Sequence, residues 1–451
     1  MQLKPMTMRR NFSWTFAGNV VYAACQWGML VVIAKLGSPE MVGQFTLGLA
    51  VTAPVVLFTN LHLRVVQATD ARHQYLFGDY LGLRLISTGL ALLIIVGITL
   101  AAGYRWETSL VILVLGLAKA FESISDVFYG LLQQHEQMNR IAVSMMIKGC
   151  LSLLLLGIGI DLTGSVLCGA VGLAVAWALV LVGYDIRSGA LMLNTSPQTA
   201  QSQVSGESDL AVALRPRWHL GKLGKLVWLA LPLGLVMMLL SLNTNIPRYF
   251  IERYLGEREL GVFAAIAYLM IAGGTVVNAL GESACPRLAK YYAAGNSRAF
   301  STLLLKLVGI GALLGGAGVL VALVAGQKIL TLLYRSEYAE HADLLVWLMV
   351  AAALSYVSSF LGYGMTAARY FRIQMPIFAL VTTISAAACF WLLPTSGLRG
   401  VAVAQILAAI VQAGISFGVI IHTLHQLHKR QINALRTANI PPSAKESQGI
   451  Y

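Results

Sequence analysis

The chain has 451 residues, of which 57% are hydrophobic and only 11% charged, with a formal net charge of +13. Water-soluble domains carry roughly 25% charged residues, so a soluble globular protein is excluded. The basic residues are scattered through short connections and form no continuous stripe, which argues against nucleic acid as a partner.

A bilayer crossing needs about 20 mostly apolar residues. The apolar runs predict twelve spans, near 12–34, 41–67, 80–103, 108–132, 141–160 and 165–186, then 226–251, 259–285, 300–325, 341–367, 375–394 and 399–422. The first follows Arg9 and Arg10. Thr7 to Phe12 faintly resembles a twin-arginine signal, and Ala23-Ala24-Cys25 a lipoprotein site. Asn19, Tyr22 and Gln26 interrupt the compact apolar region that either signal requires, so an uncleaved span is expected.

The second span ends on Arg64, and the third carries Arg84 near its start. In the fourth, Lys119, Glu122 and Asp126 stand at i, i+3 and i+7, which puts all three on one helical face. At about 1.5 Å per residue, Lys119 lies about 16 Å into that span, near the midplane. Lys148 follows in the fifth. An ionisable group at the bilayer centre costs about 3 kcal/mol on insertion scales, so such residues face a bundle interior or a wet cavity.

Residues 188–225 form the one long connection, Ser/Thr/Gln-rich from Asn194 to Asp209 and ending in Arg215, Arg217, Trp218, Lys222 and Lys225. The first part reads as a flexible linker, the second as a segment suited to an anionic headgroup surface. Beyond it, Asn243, Asn245 and Arg248 fall in the seventh span, Glu282 in the eighth and Lys306 in the ninth. After His422, the apolar residues Leu424, Leu427, Ile432 and Leu435 alternate with His, Lys and Arg, as in an interfacial helix. The expected organisation is a six-helix lobe over 1–187, a linker at 188–225, a second lobe over 226–423 and a tail at 424–451.

Most Lys and Arg residues fall in alternate connections, among them Arg9, Arg10, Arg140, Arg187, Arg217, Lys222, Arg287, Lys290 and Arg369. The opposite connections hold only Lys35, Arg105, Arg253, Arg258, Lys328, Arg335 and Arg399. The positive-inside rule then places both termini in the cytoplasm.

The halves also repeat. Leu36-Gly37-Ser38-Pro39-Glu40, followed by Gly43 and Phe45, returns as Leu255-Gly256-Glu257-Arg258-Glu259, followed by Gly261 and Phe263, with one residue deleted in between. From Gly43 on, a constant offset of 218 aligns Asn60 with Asn278 and Arg64 with Glu282. Six spans separate the copies, so the repeat is parallel and its axis runs along the membrane normal.

Two roles remain open for the buried charges. They pair with one another to hold helices together, Asp126 with Lys148 or Arg84, or they line a polar path. On the second reading Arg64, Arg84, Lys119, Lys148 and Lys306 bind an anionic substrate, while Glu122 and Asp126 are the candidates for coupling to H+ or Na+. Arg64 and Glu282, equivalent and of opposite sign, form a hypothetical gate. Charge reversal at either is expected to impair transport, and double reversal to restore it.

No P-loop, HExxH, paired CxxC or Gly-rich dinucleotide loop occurs, so no cofactor is expected and the chain reads as a non-enzyme. His422, His425 and His428 fit a surface helix better than a metal site. The five cysteines lie in or at the ends of apolar spans and imply no disulfide framework.

Ala34-Lys35-Leu36-Gly37 through Gly43-Gln44-Phe45, Asn60 to Arg64, Gln67 to Asp70, and Ser125 to Gln133 with Met138-Asn139-Arg140 resemble the polysaccharide-transport family of oligosaccharide flippases. That family includes O-antigen flippases and belongs to the multidrug/oligosaccharidyl-lipid/polysaccharide exporter superfamily. The resemblance implies an all-α membrane protein, a V-shaped pair of pseudo-symmetric six-helix lobes working by alternating access in the inner membrane. It implies undecaprenyl-pyrophosphate-linked sugars as substrate, with a polysaccharide polymerase and chain-length machinery as candidate partners. Rival readings are a multidrug cation antiporter of the same superfamily, a fourteen-span peptidoglycan lipid flippase and a membrane polymerase or ligase. The first and seventh spans lack the acids that suit a cation exporter, and no long external loop could house a glycan active site.

Overall fold

The computed structural model describes residues 8–70, 74–195 and 214–438. Arg72, the middle of the anticipated linker at 196–213 and the end of the tail at 439–451 lie outside the described residues. All regular structure in the described residues is helical.

In chain order the helices are α1 (Met8–Leu36), α2 (Pro39–Thr59), α3 (Leu63–Thr69), α4 (Phe77–Ala102), α5 (Trp106–Gln134), α6 (Met138–Thr163), α7 (Val166–Val180) and α8 (Ile186–Thr195). One wide π-type turn, Leu181–Asp185, joins the last two. The chain continues with α9 (Leu220–Leu255), α10 (Glu257–Ala293), α11 (Ser297–Leu333), the single turn α12 (Ser336–Ala339), α13 (Ala342–Ala367) and α14 (Phe371–Ala438). Within α14, Gly397 takes a φ of 58° that helices of L-residues cannot continue through, so it is two helices end to end.

Ten helical segments in the described residues are long and apolar enough to cross a bilayer. The segment Ile373–Gln426 is divided by Gly397 and supplies two crossings. The twelfth is α5, 29 residues long, which carries Lys119, Glu122 and Asp126. The fold is therefore the expected all-α, twelve-span, two-part membrane architecture. Leu100, Leu313, Val324 and Trp391 expose more than two thirds of their surface, an apolar exterior suited to lipid.

The chain forms two compact units, Met1–Ala265 and Ile266–Tyr451. In the first, α1 packs along α6, α6 along α7, and α5 against α2, α3, α4 and α7. Apolar side chains from α4, α5 and α9 share one core that includes Tyr80, Leu83, Phe128, Leu132, Leu223 and Leu226. The helix α9 lies along α2, and the Tyr249 hydroxyl donates to the Ala50 carbonyl. In the second unit α13 packs between α11 and α14 around Phe300, Leu304, Tyr356 and Phe360.

Polar content separates the units. The buried polar side chains described in the second are Ser358, Ser385, Ser416 and Thr423, none of them charged. The first buries Asp79, Arg84, Lys148 and Asp185. The charge of the transmembrane interior is concentrated in one lobe.

Candidate functional site

The amphipathic helix α5 organises the site. Its apolar face, including Val111, Ile112, Leu115, Val127 and Leu131, is buried in the lobe core. Its polar face carries Lys119, Glu122, Asp126, Tyr129 and Gln133 in successive turns.

At the α3 end of the lobe, Asp126 is shared by two guanidinium groups. Arg84 Nη2 lies 3.1 Å from Oδ2, and Arg64 Nη1 lies 3.7 Å from Oδ1. The Arg84 side chain is fully buried, whereas those of Arg64 and Asp126 keep 30% and 26% of their surface. Arg64 Nε also donates to Gln133 Oε1 at 3.0 Å, and its guanidinium stands 5.4 Å from the centre of the Tyr129 ring. The turn that delivers Arg64 places Leu61 and His62 at φ of 51° and 52°, a left-handed conformation that is uncommon outside glycine and costs Leu61 more than His62. Such local cost, tolerated beside a charged cluster, is characteristic of functional segments.

Farther along α5, Lys119 Nζ pairs with Glu122 Oε2 at 2.7 Å, and the Tyr22 hydroxyl of α1 donates to Glu122 Oε1 at 3.1 Å. Lys119 also sits 4.9 Å from the Trp177 ring. The side chains of Lys119 and Glu122 retain 23% and 31% of their surface.

Between these partly open pairs lies a closed one. Lys148 Nζ is 3.7 Å from Asp185 Oδ2, with side-chain exposures of 2% and 0%. Ser144 donates to Asp185 and is also bonded to the Tyr129 hydroxyl at 2.7 Å. The rings of Tyr129 and Trp177 flank the ammonium at 5.1 and 6.0 Å, and Trp177 Nε1 is held by Ser152 Oγ at 2.8 Å.

Of the sequence-derived residues, Arg64, Arg84, Lys119, Lys148, Glu122 and Asp126 therefore meet in one network on the first lobe. The anticipated Arg84–Asp126 pair is present. Lys148 pairs instead with Asp185, which the sequence reading did not single out. In the sequence Asp185 sits at the end of the sixth span beside Arg187, where it looks like a boundary charge. A buried Lys148 demands a counter-charge at its own depth, and that requirement is the signal that could have found it. Lys306 and Glu282 lie in the second unit, on α11 and α10, and both are exposed.

With Arg64, Arg84, Lys119 and Lys148 set against Glu122, Asp126 and Asp185, the network carries one excess positive charge. The excess is concentrated where two arginines share Asp126. Arg64, the more open of the two, can offer guanidinium donors to an anion without breaking the Arg84–Asp126 pair. Among the described residues no cluster of His, Cys, Asp and Glu suited to a metal ion occurs.

No family model matches the chain. It is 28% identical over 409 residues to the capsular polysaccharide biosynthesis protein CapF of Staphylococcus aureus, an alignment covering 88% of this chain and 94% of that one. Among solved structures it resembles an inward-facing multidrug resistance MATE family transporter of the MOP superfamily, with a TM-score of 0.67, 15% identity, and coverage of 92% and 99%. It also resembles the lipid II flippase MurJ in an inward closed conformation, with a TM-score of 0.66, 11% identity, and coverage of 95% and 93%. Twelve spans and this likeness define an all-α, multi-pass membrane protein with the fold those two structures share. The sequence likeness to CapF extends over most of both chains, in keeping with the resemblance of the first 150 residues to the polysaccharide-transport family.

Proposed function

We propose that this protein flips undecaprenyl-pyrophosphate-linked oligosaccharide repeat units from the cytoplasmic to the outer leaflet of the inner membrane by alternating access. The product would serve surface polysaccharide biosynthesis of the capsular, exopolysaccharide or lipopolysaccharide O-antigen kind. The observation that carries this reading is the sign of the network in the first lobe. A cation exporter needs an acidic excess to hold its passenger, and this interior has a basic one. The fold alone does not discriminate, since both multidrug exporters and a lipid flippase share it.

In this reading Arg64 and Lys119, the partly open bases, meet the pyrophosphate. The buried Arg84 and Lys148 set the local potential and hold the acids in place, and Lys306 would add a basic contact from the second lobe. Glu122 and Asp126 are the partly exposed carboxylates able to exchange H+ or Na+ as the site alternates between wet and dry. Polymerase and chain-length proteins would take the flipped units. A polymerase or ligase activity of the chain itself is disfavoured because, among the described residues, the connections between helices are too short to house a glycan active site.

The test is reconstitution into proteoliposomes with a defined undecaprenyl-pyrophosphate oligosaccharide, scored by the accessibility of its sugar to an external lectin, with and without ion gradients. Sugar is expected to become accessible with the unaltered protein and not with Arg64→Gln/Lys119→Gln. Export of a cationic dye with no movement of the lipid-linked sugar would overturn the assignment.

A further inference from the structure

The residues just before α9 are laid into a slot on α4. Gly78 and Gly82 stand one turn apart on that helix, and an added Cβ on Gly78 would come within 2.6 Å of the Arg215 carbonyl oxygen. One on Gly82 would run into the carbonyl of Arg217. The Arg217 amide donates to the Gly78 carbonyl at 2.8 Å. The backbone of 215–217 is therefore pressed against α4 where α4 has no side chains. Arg215, Arg217, Trp218 and His219 are all exposed.

The first three turns of α9 have two faces. Leu223, Leu226 and Ala230, at i, i+3 and i+7, are buried in the lobe core. Lys222, Lys225 and Leu229 repeat that spacing on another side and are exposed, as is Trp228 beside them. From the connection into the helix, the exposed surface thus begins with Arg215, Arg217 and Trp218, continues with Lys222 and Lys225, and turns apolar at Trp228 and Leu229. No Asp or Glu occurs between Asp209 and Glu252 to offset these bases. Asp79, next to Gly78 in α4, is buried and accepts from the Leu76 amide. All of these elements belong to the first unit.

We propose that this surface is a docking site for an anionic phospholipid of the inner leaflet, its phosphate met by Arg215, Arg217, Lys222 and Lys225 and its acyl chain lying along Trp228 and Leu229. The order of side chains is that of a phospholipid, charged at the head and apolar below, with Trp218 at the level where aromatic rings settle in a bilayer. The loop charges that orient the chain put this end of α9 on the cytoplasmic side, where anionic lipids attract basic segments. A soluble polyanion would use the four bases and leave Trp228 and Leu229 without a role. The slot on α4 also matters, because bases fixed in place lose less freedom on binding than bases on a loose linker. The site needs no assignment of the passenger.

The full chain is reconstituted in phosphatidylcholine vesicles, into which phosphatidylglycerol or phosphatidylcholine with brominated acyl chains is titrated. Bromine quenches a tryptophan it touches, and the part of the quenching that Trp228→Phe removes reports on this face. Brominated phosphatidylglycerol is expected to half-quench that part at a mole fraction at least about fivefold below brominated phosphatidylcholine, the effect of even one base near an anionic headgroup. Arg215→Gln/Arg217→Gln/Lys222→Gln/Lys225→Gln should bring the two lipids together. Arg287→Gln/Lys290→Gln/Arg298→Gln, which removes exposed bases from the second unit, should leave the difference intact. In the unaltered protein, raising the salt from about 0.1 to about 1 M should shrink the difference, since the screening length falls from about 10 to about 3 Å. Equal quenching by both lipids, a difference that survives the fourfold substitution or high salt, or one lost equally in the second-unit variant would overturn the site. Displacement of the lipid by an equal concentration of inorganic pyrophosphate would show a soluble-anion site instead and overturn the lipid assignment. No passenger is present, so failure of the flippase reading does not touch the result.

Discussion

Replacing Asp185 by Asn leaves the Lys148 ammonium in a site where its side chain is 2% exposed and, among the described residues, no other carboxylate pairs with it. At 3.7 Å and an effective dielectric of about 20, the lost attraction is about 4 kcal/mol. That agrees with the roughly 3–5 kcal/mol seen when one partner of a buried pair is removed. The Tyr129 and Trp177 rings at 5.1 and 6.0 Å flank the ammonium before and after the substitution, so their contribution cancels from the difference. The net expectation for Asp185→Asn is a loss of about 3–5 kcal/mol. Lys148→Met, which leaves Asp185 its Ser144 hydrogen bond but takes away its cation, should cost about the same or more. Lys148→Met/Asp185→Asn removes both charges and should recover at least half of the loss. The assay is denaturant unfolding of detergent-solubilised protein, followed by tryptophan fluorescence. Additive losses in the double variant, or single losses below about 1 kcal/mol, would refute the claim that the two groups are a buried, mutually compensating pair.

Arg64→Gln should weaken binding of a soluble pyrophosphate-linked oligosaccharide by about tenfold while leaving stability within about 1 kcal/mol, because the side chain is 30% exposed and Asp126 keeps Arg84; calorimetric titration reads the first and a melt the second. Gly159→Val should destabilise the α6–α7 packing by about 1–3 kcal/mol, since even a Cβ at Gly159 would come within 2.7 Å of the Cys168 carbonyl oxygen; an unchanged melting temperature would contradict that geometry. Asp343→Asn should change stability by less than about 1 kcal/mol despite the 2.6 Å contact with Arg399, because both side chains are well exposed; a larger loss in the same melt would show that this pair is shielded from solvent.

Composition and local pattern determined the architecture by themselves. Whether a segment can enter a bilayer depends on its own twenty residues, so the spans, their number and the break before α9 could all be read along the chain. The i, i+3, i+7 spacing on α5 likewise placed Lys119, Glu122 and Asp126 on one face, a consequence of helical geometry alone. The partners of these charges were another matter. Asp185 reaches Lys148 from the end of a π-type turn, and Arg64 reaches Asp126 through two residues of positive φ. Neither irregularity has a periodic signature. The repeat around Gly43 and Gly261 was visible as two copies, but only the folded chain shows that a Cβ on either glycine would run into the backbone of the other copy. Hydropathy is a property of a segment, whereas ion pairing and the meeting of symmetry-related residues depend on distances between helices far apart in sequence. Those distances exist only once the lobe has packed.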